Sequence, residues 1–281
     1  MTSRQITRRV DAHMHLWQLA RGDYDWMSPA LGPIHRDFGI ADAEPLLRAC
    51  DLQEVVLVQA AATVAETTFL LSLAPSSPRI AGVVGWVDFE SPDAPATLQD
   101  FARLRHFKGV RPMIQSIPDT AWMLREDVGR TWDAVAMLDI AVDFLVMSEH
   151  LESLHALLRR RPALRGVIDH GAKPQIERRE MGAWARAMTR LARETNVACK
   201  LSGLVSEAGP NWTTELLRPY VDLLLTEFGP ARLLFGSDWP VLNLAADYVR
   251  WYETANELLQ SLSDGERSAV FGGNAATFYR L

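Results

Sequence analysis

Short apolar runs and amphipathic stretches of helical period take turns along the whole chain, eight times over its 281 residues. The apolar runs predict strands at Val10–Trp17, Glu54–Ala60, Ile80–Asp88, Phe107–Gln115, Ile140–Met147, Leu164–His170, Val197–Leu204 and Arg232–Asp238. Most read as buried on both faces, with little polar alternation. Helical spacing predicts Ala43–Cys50, Ala65–Ala74, Thr97–Leu104 and Ala121–Leu138, a helix opened by His150 and ending near Arg161 and Pro162, then Met181–Thr195, Glu215–Phe228 and two closing segments. Strand, helix, strand in strict succession predicts one closed parallel barrel, a single (β/α)8 TIM barrel over residues 1–281 with no linker. Gln18–Ile40 has no clean period and is long enough to be a functional loop; it carries Trp26 and His35.

In such a barrel the reactive groups gather where the strands end. His13 and His15 are two positions apart on the first predicted strand, so alternation turns both imidazoles to one face. The pair suits either a metal ion or a hydrogen-bonded polar substrate. His170 ends the sixth predicted strand and Asp238 the eighth, so three imidazoles and a carboxylate face one mouth. Arg111 on the fourth strand can hold a carboxylate or polarise a carbonyl, or pair with a barrel acid. Lys200 and Glu207 flank the seventh strand as candidates for substrate hydroxyls, with pairing to each other as the alternative. Trp26, in the long loop, is the best candidate among nine tryptophans to serve as an aromatic platform for a ligand.

Composition narrows the partners. A net charge of -6 without a basic stripe disfavours nucleic acid and anionic membranes, and no apolar run is long enough to span a bilayer. Cys50 and Cys199 stand far apart, outside any zinc or redox spacing, and are expected to be buried and inert. With no targeting segment in Met1–Arg9, a cytoplasmic protein is expected.

These residues also carry a resemblance. His-x-His on strand one, a histidine ending strand six and an aspartate ending strand eight resemble the amidohydrolase superfamily of metal-dependent barrel hydrolases. The stretches Asp-Ala-His-Met-His-Leu-Trp, Lys-Gly-Val-Arg, Val-Ile-Asp-His-Gly-Ala-Lys-Pro, Lys-Leu-Ser-Gly-Leu and Phe-Gly-Ser-Asp-Trp-Pro are similar to its branch of sugar lactonases acting on L-fucono- and L-rhamnono-lactones. The similarity runs over nearly the whole chain. Two-metal members carry a bridging lysine at the end of strand four and a histidine at the end of strand five. Here Lys108 begins strand four, Met147 ends strand five and His150 comes three residues later on a helix. The resemblance therefore implies at most one divalent ion, zinc by expectation, on His13, His15, His170 and Asp238, and it leaves a metal-independent site open.

The activity implied by the resemblance is that of a hydrolase acting on a carboxylic ester: water opens a neutral sugar lactone to the aldonic acid. Asp238 serves as general base, with His170 and Arg111 at the reacting carbonyl and Trp26, Arg111, Lys200 and Glu207 binding the substrate. Past Arg111 no second arginine comes until Arg125, which favours a neutral lactone over a dicarboxylated one. The competing readings are a carboxylated lactone of pyrone or muconolactone type, a metal-dependent decarboxylase, and a binding barrel without catalysis. The partner is a small molecule, and homo-oligomerisation is left open.

Overall fold

The computed structural model describes residues 8–281. Met1–Thr7, most of the stretch read as lacking a targeting segment, lie outside the described residues. Eight parallel strands pair in chain order: β1 (Val10–Met14), β2 (Glu54–Val58), β3 (Ile80–Gly85), β4 (Phe107–Val110), β5 (Ala141–Phe144), β6 (Arg165–Ile168), β7 (Ala198–Leu201) and β8 (Leu233–Phe235). Beyond β8, two bonds close the barrel onto the end of β1: Asp238 N–H donates to His13 O at 2.8 Å, and His15 N–H donates to Trp239 O at 2.7 Å. The Asp11 carboxylate clasps the same seam, accepting from the backbone N–H groups of His13 and Ser237 and from the Tyr248 hydroxyl. The (β/α)8 expectation holds.

The helices are α1 (Ile40–Ala49), α2 (Val64–Leu73), α3 (Ala94–Ala102), α4 (Gly129–Met137), α5 (Leu151–Arg160), α6 (Gly182–Glu194), α7 (Leu204–Glu207), α8 (Thr214–Phe228), α9 (Tyr248–Leu258), α10 (Asp264–Ser268) and α11 (Asn274–Tyr279). In α5, Leu151, Leu154, Leu157 and Leu158 form the buried stripe while Arg159 and Arg160 end the helix in solvent. The predicted helix Ala121–Leu138 is two pieces, because Arg125 is extended and only α4 continues as a full helix. The closing region holds three helices and a π turn rather than two segments. Among the described residues no helix is long and apolar enough to cross a membrane.

The strands are shorter than the apolar runs that announce them. His15, Arg111, His170 and Asp238 all lie just past a strand end, where the chain turns out of the sheet. Alternation then sorts the core. Val55 and Leu57 pack outward against helices, while Val56 and Val58 fill the barrel with Val10, Ala12, Val84, Ala141, Val167, Ala198 and Leu234. Two positions beyond three of those inward residues stand Asp143, Asp169 and Lys200, so period two delivers three charges to one interior layer. At the opposite end of the barrel α11 forms the floor: Tyr279 donates to Asp143 Oδ1 at 2.7 Å, and Lys108 Nζ donates to Arg280 O at 3.0 Å.

Candidate active site

Asp238 is the focus. Its Oδ1 lies 3.2 Å from His15 Nε2, 3.7 Å from His13 Nε2 and 3.8 Å from His170 Nε2. The rings of His13 and His15 meet edge to face with centroids 4.9 Å apart, and His170 approaches His13 at 4.5 Å. All four side chains are buried, yet His15, His170 and Asp238 line one cavity of about 290 Å³ with Arg111 and Trp26. That volume suits a small ligand.

Burial disfavours ionisation of Asp238, but the surrounding imidazoles, His170 foremost, outweigh it and hold the carboxyl below the usual carboxylate range. His170 is pushed down to about 4, chiefly by burial, and His13 is also lowered by burial and by Lys200.

Each imidazole is oriented from behind. His15 Nδ1 donates to Val58 O at 2.7 Å, and a carbonyl can only accept. Nδ1 thus carries a proton, and Nε2 is the atom turned toward the Asp238 carboxylate oxygen, 3.2 Å away, where a proton or a metal ion can bridge the two. For zinc, bonds of about 2.0–2.2 Å in a tetrahedron separate neighbouring ligand atoms by about 3.4 Å, close to the observed spacings. His13, His15 and Asp238 make one donor set, and His13, Asp169 and His170 make a second that shares His13. The residues fit one ion.

His170 is held by Ser202, whose Oγ is 2.9 Å from Nδ1, and by a strained turn. His170, Ala172 and Lys173 all take positive φ, between 50° and 60°, a cost of roughly 1–2 kcal/mol per residue that clusters at functional sites. Gly203 sits against the ring with φ +65°, and a Cβ there would come within 2.6 Å of His170 Nδ1. Gly203→Ala is therefore expected to displace the imidazole and lower kcat on the order of 100-fold with the far-UV circular dichroism unchanged. Steady-state kinetics check it, and unchanged kcat counts against the proposed placement of His170.

Arg111 lines the cavity, and its guanidinium pairs with the barrel acid Asp169 at 3.5 Å. Gln59 clasps it, donating to Arg111 O at 2.9 Å while accepting from Nη2. Trp26 lines the cavity from the long loop and donates from its indole to Ala60 O at 2.8 Å. Lys200 needs correction. It is fully buried beneath the histidines, where its ammonium pairs with Asp143 and with Asp169 at 3.1 Å and touches His13 Nδ1 at 3.0 Å. Two positions past inward-facing Ala198, it points into the barrel and does not line the cavity. Nor does it meet Glu207, which stands behind the cavity wall and pairs with Lys173 at 3.5 Å. His150 is a turn residue whose Nδ1 accepts from Met147 N–H, and Lys108 is at the floor. Cys50 and Cys199 are buried and unpaired.

Two groups escape the sequence pattern. Lys173 lines the cavity, with no strand or helical period to flag it. Glu66, fully buried at the third position of α2, accepts the N–H groups of Ala60 and Ala61 and so fixes the carbonyl that holds Trp26. Burial lifts its carboxyl to about 7, against the opposing pull of those two N–H groups. Its folded value exceeds the unfolded one, so ionising it costs stability: nothing below about pH 4.5, rising to on the order of 3 kcal/mol above pH 7. Glu66→Gln lacks this cost. The melting temperature of the variant relative to the wild type is expected to rise between pH 5 and pH 8, and a flat difference across that range refutes the assignment.

A barrel whose mouth gathers three imidazoles, a carboxylate and a guanidinium beside one cavity belongs to the class of (β/α)8-barrel enzymes with a candidate metal centre. The chain is a member of the amidohydrolase family, whose model, described as Amidohydrolase, matches residues 10–281. It is 44% identical over 280 residues to an L-fucono-1,5-lactonase of Burkholderia ambifaria, covering 98% of this chain and 97% of that protein. An L-fucono-1,5-lactonase of Burkholderia multivorans is 36% identical, covering 97% and 96%. A crystal structure of an amidohydrolase from Burkholderia multivorans with bound zinc superposes with a TM-score of 0.93 at 36% identity, covering 98% of this chain and 99% of that one.

Proposed function

We propose that this enzyme hydrolyses a neutral sugar-acid lactone, of the L-fucono- or L-rhamnono-1,5-lactone type, to the aldonic acid. The carrying observation is the Asp238 carboxylate ringed by three imidazoles at the wall of a cavity sized for one sugar ring. The two L-fucono-1,5-lactonases at 44% and 36% identity support the same reaction. Cavity charge favours a neutral substrate, because both cations lining it already have carboxylate partners: Arg111 with Asp169, and Lys173 with Glu207.

In this reading Asp238 takes the proton of the attacking water and later returns it to the departing ring oxygen. The Arg111 guanidinium, with Nη1 3.5 Å from Asp169 and Nη2 donating to Gln59, is preorganised to meet negative charge developing on the carbonyl oxygen. His170 accepts the Ser202 hydroxyl at Nδ1 and presents Nε2–H to the same oxygen. Trp26 covers the apolar face of the ring and excludes water. His13, His15 and Asp238 would hold one divalent ion. When bound, such an ion supplies Lewis acidity toward the carbonyl.

A pH-indicator assay over neutral and dicarboxylated lactones tests the reading. Acid release from the neutral 1,5-lactones is expected, and preference for a dicarboxylated lactone overturns it. Metal analysis after zinc loading is expected to give one ion per chain, and none in the His13→Ala/His15→Ala double variant. Equal zinc in both proteins removes the ion from this site.

A further inference from the structure

Next to the catalytic cavity lies a second one of the same volume, about 290 Å³, walled by Trp86, Phe89, Trp122 and Ile117. The two share Met113 and Ser116, on the loop after β4. They also share the loop after β2, with Ala60 facing one and Ala62 the other. The reaction proposed above uses none of the second cavity. Its aromatic wall is built rather than incidental. The Trp122 indole donates to Glu90 Oε1 at 2.7 Å, and Phe89 packs against Trp122 with centroids 5.9 Å apart. Trp86 is anchored by its backbone alone, its N–H and C=O both on the Thr67 hydroxyl, and its indole makes no hydrogen bond among the described residues. The exposed Asp88 carboxylate stands at the rim.

We propose that this cavity is a subsite for a second sugar ring attached to the lactone, so that the enzyme accepts glycosylated aldonolactones; the proposal rests on the lactonase reading. Three observations select that occupant. Met113 and Ser116 border both cavities, which sets the two side by side within the span of one two-ring molecule. Equal volume means that if the first holds one ring, the second holds another. An indole face with a free N–H and a carboxylate at the rim match a pyranose, whose C–H face is apolar and whose edge carries hydroxyls.

The test compares L-fucono-1,5-lactone with its β-glucosyl derivatives at O2, O3 and O4, in wild type and in Trp86→Ala. Trp86 touches only the second cavity, and its backbone bonds survive the substitution. At least one derivative is expected to exceed the parent in kcat/KM by about tenfold, chiefly through KM. Trp86→Ala is expected to lose that gain while turnover of the parent lactone changes less than about twofold. Ile117→Arg, which fills the cavity from the other wall, is expected to act likewise. If no derivative surpasses the parent, or the gain survives both variants, the subsite is refuted and the lactonase reading stands. If the parent lactone itself is inert, it is the lactonase reading that fails.

Discussion

Asp238→Asn is expected to lower kcat on the lactone on the order of 10³- to 10⁴-fold while leaving the fold intact. Asp238 has φ +60°, a left-handed conformation that asparagine adopts more readily than most residues, so the backbone is not perturbed. Its N–H still donates to His13 O and keeps the barrel seam closed. What disappears is the proton acceptor, together with the charge that the three imidazoles surround. KM is expected to change little, since Arg111 and Trp26 still line the cavity. Turnover within tenfold of wild type would remove Asp238 from the base role.

The second large effect is on stability. Lys200→Met leaves Asp143 and Asp169 facing each other in an interior layer where all three side chains are fully buried. Removing one partner from a buried ionic group costs roughly 3–5 kcal/mol, because an uncompensated charge remains. The layer also supports catalysis, as Asp169 reaches His13 Nδ1 at 3.3 Å and Arg111 at 3.5 Å. Lys200→Met is therefore expected to lose both stability and turnover. Replacing Asp143 by leucine in the same chain is expected to recover part of the stability, since the carboxylate whose salt bridge to Lys200 is lost is then gone. Urea unfolding measures both, and a loss below about 1 kcal/mol for Lys200→Met shows that the layer contributes little.

The barrel was legible because strands buried on both faces cannot exist alone and must alternate with helices that cover them. The histidine pair, His170, Asp238 and Arg111 were legible because a barrel exposes chemistry only at strand ends. Lys200 misled for an instructive reason: a lysine near the end of a strand reads as exposed, yet its parity with Ala198 turns it inward. Asp143 and Asp169 share that parity with Ala141 and Val167, so the buried layer is encoded in the two-residue period of the strands. Lys173 was not recoverable in this way, since its direction is set by a left-handed turn that no periodicity encodes. Glu66 hid as an ordinary polar residue in the first turn of a helix, and only the approach of the β2 loop gives it a role.

The central claim is that water adds to a lactone carbonyl at Asp238. Turnover of L-fucono-1,5-lactone in oxygen-18 water, with the product acid read by mass spectrometry, addresses it most directly. Enzyme-dependent product is predicted to carry one heavy oxygen, in the carboxylate, and Asp238→Asn is predicted to form none above the spontaneous rate. Heavy oxygen on the ring-opened hydroxyl carbon, or labelled product undiminished in Asp238→Asn, would contradict it.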